Sequence, residues 1–239
     1  MTEFQVDAAF LTHKGQRKPN NEDSVDWRDP DDPNVLEASG RLYIVADGVG
    51  GAAAGEVASE LAVRCVLEEY YRSSDSNLGE RLRDAVKSAN AEVYDYAQAH
   101  PEIDRMGTTL VAAVVRGSEL VVCNVGDSRA YLVRNGRIRQ ITRDHSLVQT
   151  MVDEGTITQA EARNHRRTNV ILRSLGADAT VRADLFDGTL QHGDILVLCS
   201  DGLTAHVLDE EIFNLVSRQP AERAAQQLVE MANLRGGKD

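Results

Sequence analysis

The 239-residue sequence is poor in several features, and each shortage excludes something. No apolar stretch approaches the roughly 18 residues that a membrane-spanning helix needs, so no membrane segment is expected. Cationic side chains are outnumbered, 26 Lys and Arg against 38 Asp and Glu, for a formal charge of −12. That balance argues against nucleic acid or an anionic membrane as a partner. Cysteine is scarce and odd in number. Cys65, Cys123 and Cys199 lack metal-ligand spacing and lie in or beside apolar runs, so reduced core thiols in a cytoplasmic protein are the expectation. The N-terminus interleaves Glu3, Gln5 and Asp7 with apolar residues and is no signal peptide. No Pro/Ser/Gly-rich or single-sign stretch, repeat or low-complexity tract divides the chain, which reads as one domain over residues 1–239.

What is present is a change of period along the chain. Phe4 to Leu11 alternates loosely and predicts a strand, and a polar loop follows over Asp26 to Asn34. Arg41 to Ala46 predicts a short apolar strand ending at Asp47-Gly48. Val57, Leu61 and Cys65 recur every four residues within a helix from Gly55 to Tyr71, and a second helix is predicted from Leu78 to Ala99. The middle of the chain is β-rich: Thr109 to Val115, Leu120 to Val125, Ala130 to Val133 and Ile138 to Ile141, with Asn135-Gly136 as a hairpin signal. A polar, helix-like segment follows, in which Thr158 is placed to cap a short helix through Arg163. Strands return at Val181 to Phe186 and Ile195 to Cys199, and helices close the chain at Asp209 to Arg218 and Ala221 to Leu234. Helices, then strands joined by tight turns, then helices predict an α+β fold with helices covering an antiparallel core.

Acidic residues stand at the ends of three apolar runs, each beside a glycine: Asp47-Gly48, Gly126-Asp127 and Asp201-Gly202. A strand fixes its end, and a neighbouring glycine lets the backbone turn or approach a ligand closely. Carboxylates brought together repel one another, and they respond by taking up protons or binding cations. Ligation by oxygen alone suits hard ions such as Mg²⁺, and also Mn²⁺.

These runs belong to a longer series: Asn21-Glu22-Asp23, Val45-Ala46-Asp47-Gly48-Val49-Gly50-Gly51, Gly107-Thr108-Thr109, Val125-Gly126-Asp127-Ser128-Arg129, Ser200-Asp201-Gly202 and Gly236-Gly237-Lys238-Asp239. In this order and spacing the chain resembles the PPM family, the metal-dependent type-2C serine/threonine protein phosphatases, most closely its bacterial branch. The resemblance implies a four-layer αββα sandwich, two antiparallel β-sheets packed face to face and flanked by helices. It also implies a centre of two Mn²⁺ or Mg²⁺ ions with a weaker third. Asp47 would bridge two ions, with the Gly48 carbonyl on the first and Asp201 and Asp239 on the second. Asp23 would act through bound water, and Asp127 would help hold the third ion with Asp201. Catalysis would rest on Asp47, Asp201 and Asp239, which support direct attack on phosphoserine or phosphothreonine by a hydroxide bridging the ions. The implied partners are phosphorylated proteins and a serine/threonine kinase whose targets a monomeric phosphatase would reset.

The sequence also departs from the family. The position of its phosphate-binding arginine holds Lys18, with Arg17 one residue earlier, and either could bind the phosphate. Val49 stands where many relatives carry a histidine, so the general acid is unassigned, and His145 receives no catalytic role. Leu147 to Thr168 corresponds to the family's flap, where Arg163, His165, Arg166 and Arg167 form either a substrate-facing cluster or a solvated helix end. Ending at Asp239, where relatives continue into a final strand, the sequence is expected to be trimmed. Two alternatives are a non-catalytic phosphoprotein sensor of the same fold and a hydrolase of small phosphoesters.

Overall fold

The computed structural model describes residues 5–50, 54–103 and 105–237. In chain order its elements are β1 (Asp23–Arg28), α1 (Pro33–Ser39), β2 (Arg41–Val49), α2 (Ala54–Arg72), α3 (Leu78–Ala99), β3 (Gly107–Thr108), β4 (Leu110–Arg116), β5 (Glu119–Val125) and β6 (Arg129–Arg134). There follow β7 (Arg137–Gln140), α4 (Leu147–Asp153), α5 (Gln159–Arg163), β8 (Asp184–Thr189), β9 (Ile195–Cys199), α6 (Asp201–Thr204), α7 (Asp209–Val216) and α8 (Ala221–Leu234).

The strands form two sheets. The larger runs β1-β2-β4-β5-β8, with β3 added to β2, and the smaller runs β7-β6-β9. Every pairing is antiparallel. Alternation along the strands divides the apolar residues between layers. Leu42, Ile44, Leu110, Ala112, Val114, Val121 and Cys123 face a core shared with Ala58, Ala62, Val66, Leu82 and Val86 of α2 and α3. Their neighbours Tyr43, Val45, Val111, Ala113 and Val122 face Ala130, Leu196 and Leu198 of the smaller sheet. On that sheet's far side Tyr131, Val133 and Cys199 pack against Ile212, Val216 and Leu228 of α7 and α8. The order helix, sheet, sheet, helix is the sandwich that the sequence led us to expect.

Local signals account for several boundaries. Asn77 caps α3 through Glu80 N–H, and Thr158 and Glu161 form a reciprocal capping box on α5. Asn135 and Gly136 take φ of 51° and 71°, the left-handed pair that a two-residue hairpin turn needs. Two expectations are corrected. Residues 5–11 form no strand, because no neighbouring strand pairs with them, and Phe4 lies outside the described residues. The polar stretch from Asp26 to Asn34 is not all loop. Its first residues complete β1, and α1 starts at Pro33 with Asp32 accepting from Asn34 N–H. Polar side chains suit β1 because it is an edge strand. The three thiols are buried and free. Burial raises each to about 12, so they are inert core residues.

Candidate metal centre and active site

The acidic residues gather at one end of the seam between the sheets. β1 pairs with β2 so that Asp23 lies directly opposite Asp47. By the alternation that sends Tyr43 and Val45 toward the smaller sheet, Asp47 falls on the inter-sheet side. The Asp47-Gly48 pair is not a turn after the strand, as the sequence suggested. β2 continues through Val49, exchanging β4 for β3, with Gly48 opposite Thr108. Gly48 is required by its neighbours, since an added Cβ would sit 2.1 Å from the Gly55 carbonyl oxygen and 2.7 Å from that of Glu22. Its N–H donates to Glu22 O at 3.0 Å, which fixes the Asn21-Glu22-Asp23 segment against β2.

The backbone of Asp47 is clamped by the Gly107-Thr108-Thr109 motif. Its carbonyl accepts from Thr108 Oγ1 at 2.9 Å and from Thr109 N–H at 2.8 Å, and its N–H donates to Thr109 Oγ1 at 3.1 Å. Thr109 Oγ1 also lies 2.7 Å from Ser128 Oγ, so one buried hydroxyl connects the Asp47 strand to the turn that carries Asp127. That turn needs a glycine, because Gly126 has φ +105° and an added Cβ would meet Thr109 Cβ at 2.6 Å. From the smaller sheet, β9 delivers Ser200 and Asp201. Ser200 Oγ donates to Asp23 Oδ2 at 2.6 Å across the seam, and Asp201 opens α6.

The electrostatics of Asp127 test whether these residues suit a cation. The residue is 6% exposed. Burial, then the charges of Asp201 and Asp144, push its pKa up from 3.8 to about 7. Its Oδ1 is buried with no hydrogen-bond partner among the described residues. A buried acceptor without a donor, under the influence of neighbouring carboxylates, is what a bound cation relieves. Among the described residues no three acidic, His or Cys groups already form a compact cage. Asp239, Lys238 and Gly51 lie outside them, while Gln16 N–H donates to Gly237 O at 2.7 Å and so brings Gly237 beside the loop of Lys18. With that qualification the donor set, carboxylates plus the Gly48 carbonyl, fits a hard divalent ion.

The basic residues divide sharply. Lys18 Nζ lies 2.6 Å from Glu22 Oε2, next to the Asp23 and Gly48 segments, whereas Arg17 is exposed and makes no hydrogen bond or ion pair among the described residues. Within residues 147–168, Arg163 is committed to Asp209 at 2.7 Å, while Arg166 and Arg167 are exposed. Val49 is 39% exposed beside the acidic residues and offers no proton.

The sequence series that framed this geometry has a match across nearly the whole chain: a family profile described as Protein phosphatase 2C covers residues 12–235. The chain belongs to the protein phosphatase 2C family. Serine/threonine phosphatase stp of Listeria monocytogenes is 38% identical over 237 residues, covering 97% of this chain and 92% of that one. The crystal structure of the Mycobacterium tuberculosis serine/threonine phosphatase PstP/Ppp superposes with a TM-score of 0.85 at 37% identity, covering 96% of this chain and 92% of that one. The catalytic domain of PstP in complex with two manganese ions gives a TM-score of 0.81 at 36% identity, with the same coverage of 96% and 92%.

For a protein phosphatase 2C domain the sequence had supplied the carboxylates but not what holds them. Thr109, Ser128 and Ser200 carry hydrogen bonds at the site, and all three sit in motifs whose glycines and acids had drawn attention. Arg129, the last residue of its motif, grips Asp144 through Nε at 3.0 Å to both oxygens and Nη2 at 2.7 Å. Isolated hydroxyls in a sequence carry no periodic signal, so only the fold reveals them.

Proposed function

We propose that this chain removes phosphate from phosphoserine and phosphothreonine in proteins. The observation that carries the reading is the seam itself, where Asp23 and Asp47 of the larger sheet meet the Asp127 turn and the Asp201 end of β9. Asp47, Asp201 and Asp239 would be the principal ligands of two Mn²⁺ or Mg²⁺ ions. Asp23 and the Gly48 carbonyl would complete their surroundings, and Asp127 would serve a weaker third. When bound, such ions act as Lewis acids and lower the pKa of coordinated water toward neutrality. The chain's own contribution is placement and charge. Thr108 and Thr109 hold the Asp47 backbone rigid, Ser200 orients Asp23, and the paired acids leave no site for a phosphate dianion unless cations offset them.

Lys18 is the candidate phosphate contact. Its ion pair with Glu22 places the ammonium beside the ligand strands, which Arg17 lacks. A lysine supplies charge without a bidentate fork, so binding of the phosphate should be weaker than arginine would give. The flap over residues 147–168 would contact the substrate chain, and the whole would act as one catalytic domain. Its partners would be the targets of a serine/threonine kinase, met by a monomer in the cytoplasm. No helix among the described residues is long and apolar enough to cross a membrane.

The test is phosphate release from phosphothreonine, phosphoserine and phosphotyrosine peptides with Mn²⁺ and with chelator. Release from the first two, lost with chelator and nearly abolished in Asp47→Asn, is the expected result. Undiminished release in chelator, or a strong preference for small esters over phosphopeptides, would sink the reading.

A further inference from the structure

His145 is buried, yet its side chain reaches the turn that carries Asp127. Gly126 N–H donates to His145 Nδ1 at 3.0 Å, and His145 N–H donates back to Gly126 O at 2.9 Å. Because Nδ1 accepts, the proton belongs on Nε2, which donates to Asp184 Oδ2 at 3.2 Å on β8. Arg173 Nη1 lies 2.9 Å from Nε2, but both atoms then carry hydrogen. The useful bonds of Arg173 go to Asp184 Oδ1 and Arg182 O, each at 2.9 Å. The same residue forms the base of the flap. Leu172 N–H donates to His145 O at 2.7 Å, Ser146 bridges Ile171, and Leu147 N–H donates to Val170 O at 2.9 Å, closing both ends of the flap against each other. A second tether holds the turn, since Asn124 Nδ2 donates to Gly126 O at 3.2 Å and to Arg143 O at 3.2 Å.

We propose that His145 is a positioning residue for the cation that Asp127 binds, holding the Gly126-Asp127 turn through Nδ1, while Nε2 serves the fold by tying the ring to Asp184 of β8. The inference rests on Asp127 being a ligand. Its physical content is that the two ring nitrogens have separate duties. Asparagine places its amide oxygen near the position of Nδ1, and glutamine places its terminal amide near that of Nε2. Thus His145→Asn keeps the acceptor for Gly126 N–H and loses the link to Asp184, whereas His145→Gln does the reverse.

Mn²⁺ binding, followed by the electron paramagnetic resonance signal of free Mn²⁺ and by calorimetry, separates the two duties. The wild type and His145→Asn should bind Mn²⁺ with the same profile. His145→Gln should lose roughly tenfold in affinity at the weakest ion, as expected for one buried N–H left without an acceptor. Asn124→Ala should repeat the glutamine profile, and it carries the test where a His145 variant does not fold. Equal losses in Asn and Gln variants would make His145 a space-filler and overturn the proposal. Unchanged binding in His145→Gln and in Asn124→Ala would overturn it as well. A wild type that binds no Mn²⁺ would overturn the metal reading itself, a different failure.

Discussion

Replacing Asp127 with asparagine separates what the fold tolerates from what the cation requires. In metal-free protein the carboxyl titrates near 7 instead of 3.8, chiefly through burial and then through Asp201 and Asp144. The folded state therefore binds this proton more tightly than the unfolded state. The contribution to stability is fully present below about pH 4 and is lost as pH rises through about 7. At ~1.4 kcal/mol per pKa unit, burying Asp127 costs about 4 kcal/mol near pH 8, where the folded state holds it ionised. It costs about 2 kcal/mol near pH 5.5, where the folded state must take up a proton the unfolded chain has lost. The asparagine amide introduces donors that the pocket does not satisfy, at about 2 kcal/mol. The variant should therefore be about 2 kcal/mol more stable than the wild type near pH 8 in chelator, and about equal to it near pH 5.5. Saturating Mn²⁺ should reverse the order near pH 8, because the ion gains from the carboxylate what the empty fold loses. Urea unfolding at both pH values, with chelator and with Mn²⁺, measures all of this. An Asp127→Asn protein no more stable than wild type near pH 8 in chelator would refute the argument. So would a difference that does not change with pH.

Other perturbations follow from the same frame. Thr109→Val should cost about 1–3 kcal/mol, because it leaves the buried Asp47 N–H without its acceptor. Thr109→Ser should recover most of that loss in thermal melting and in phosphate release. Gly48→Ala should lower the melting temperature and reduce activity together, because the new Cβ falls 2.1 Å from Gly55 O. Gly188→Ala, where the nearest atom would be 3.6 Å away, should change stability by no more than about 0.5 kcal/mol. Arg129→Met should cost about 3–5 kcal/mol in urea unfolding, because Asp144 would remain buried without its guanidinium partner.

Much of the frame was legible in the sequence because long periodic segments announce themselves. α3 and α8 have the predicted limits, as does β9, and the Asn135-Gly136 hairpin formed as its residues require. β1 escaped because an edge strand with Asp26 and Arg28 lacks an apolar alternation, and α1 escaped although Asp32-Pro33 is a helix-start signal. At the site, glycine-flanked acids were visible and their supports were not. The clamp on Asp47 joins residues 61 and 62 positions apart, a distance over which sequence alone offers no pairing rule. His145 showed the same limit. As a lone loop histidine it had no assignable duty, and only its buried bond to Gly126 N–H supplies one.

The hydrogen bond from Ser200 to Asp23 joins residues 177 positions apart, one in β1 of the larger sheet and one directly after β9 of the smaller. Acids reach this end from both sheets, so like charges meet where one sheet docks on the other. A cation shared across the seam would then act as a clasp, raising the stability of the assembled layers with its concentration. Manganese starvation would thus shorten the lifetime of the folded chain as well as slow its turnover, and resistance to proteolysis would report ion supply as faithfully as phosphate release.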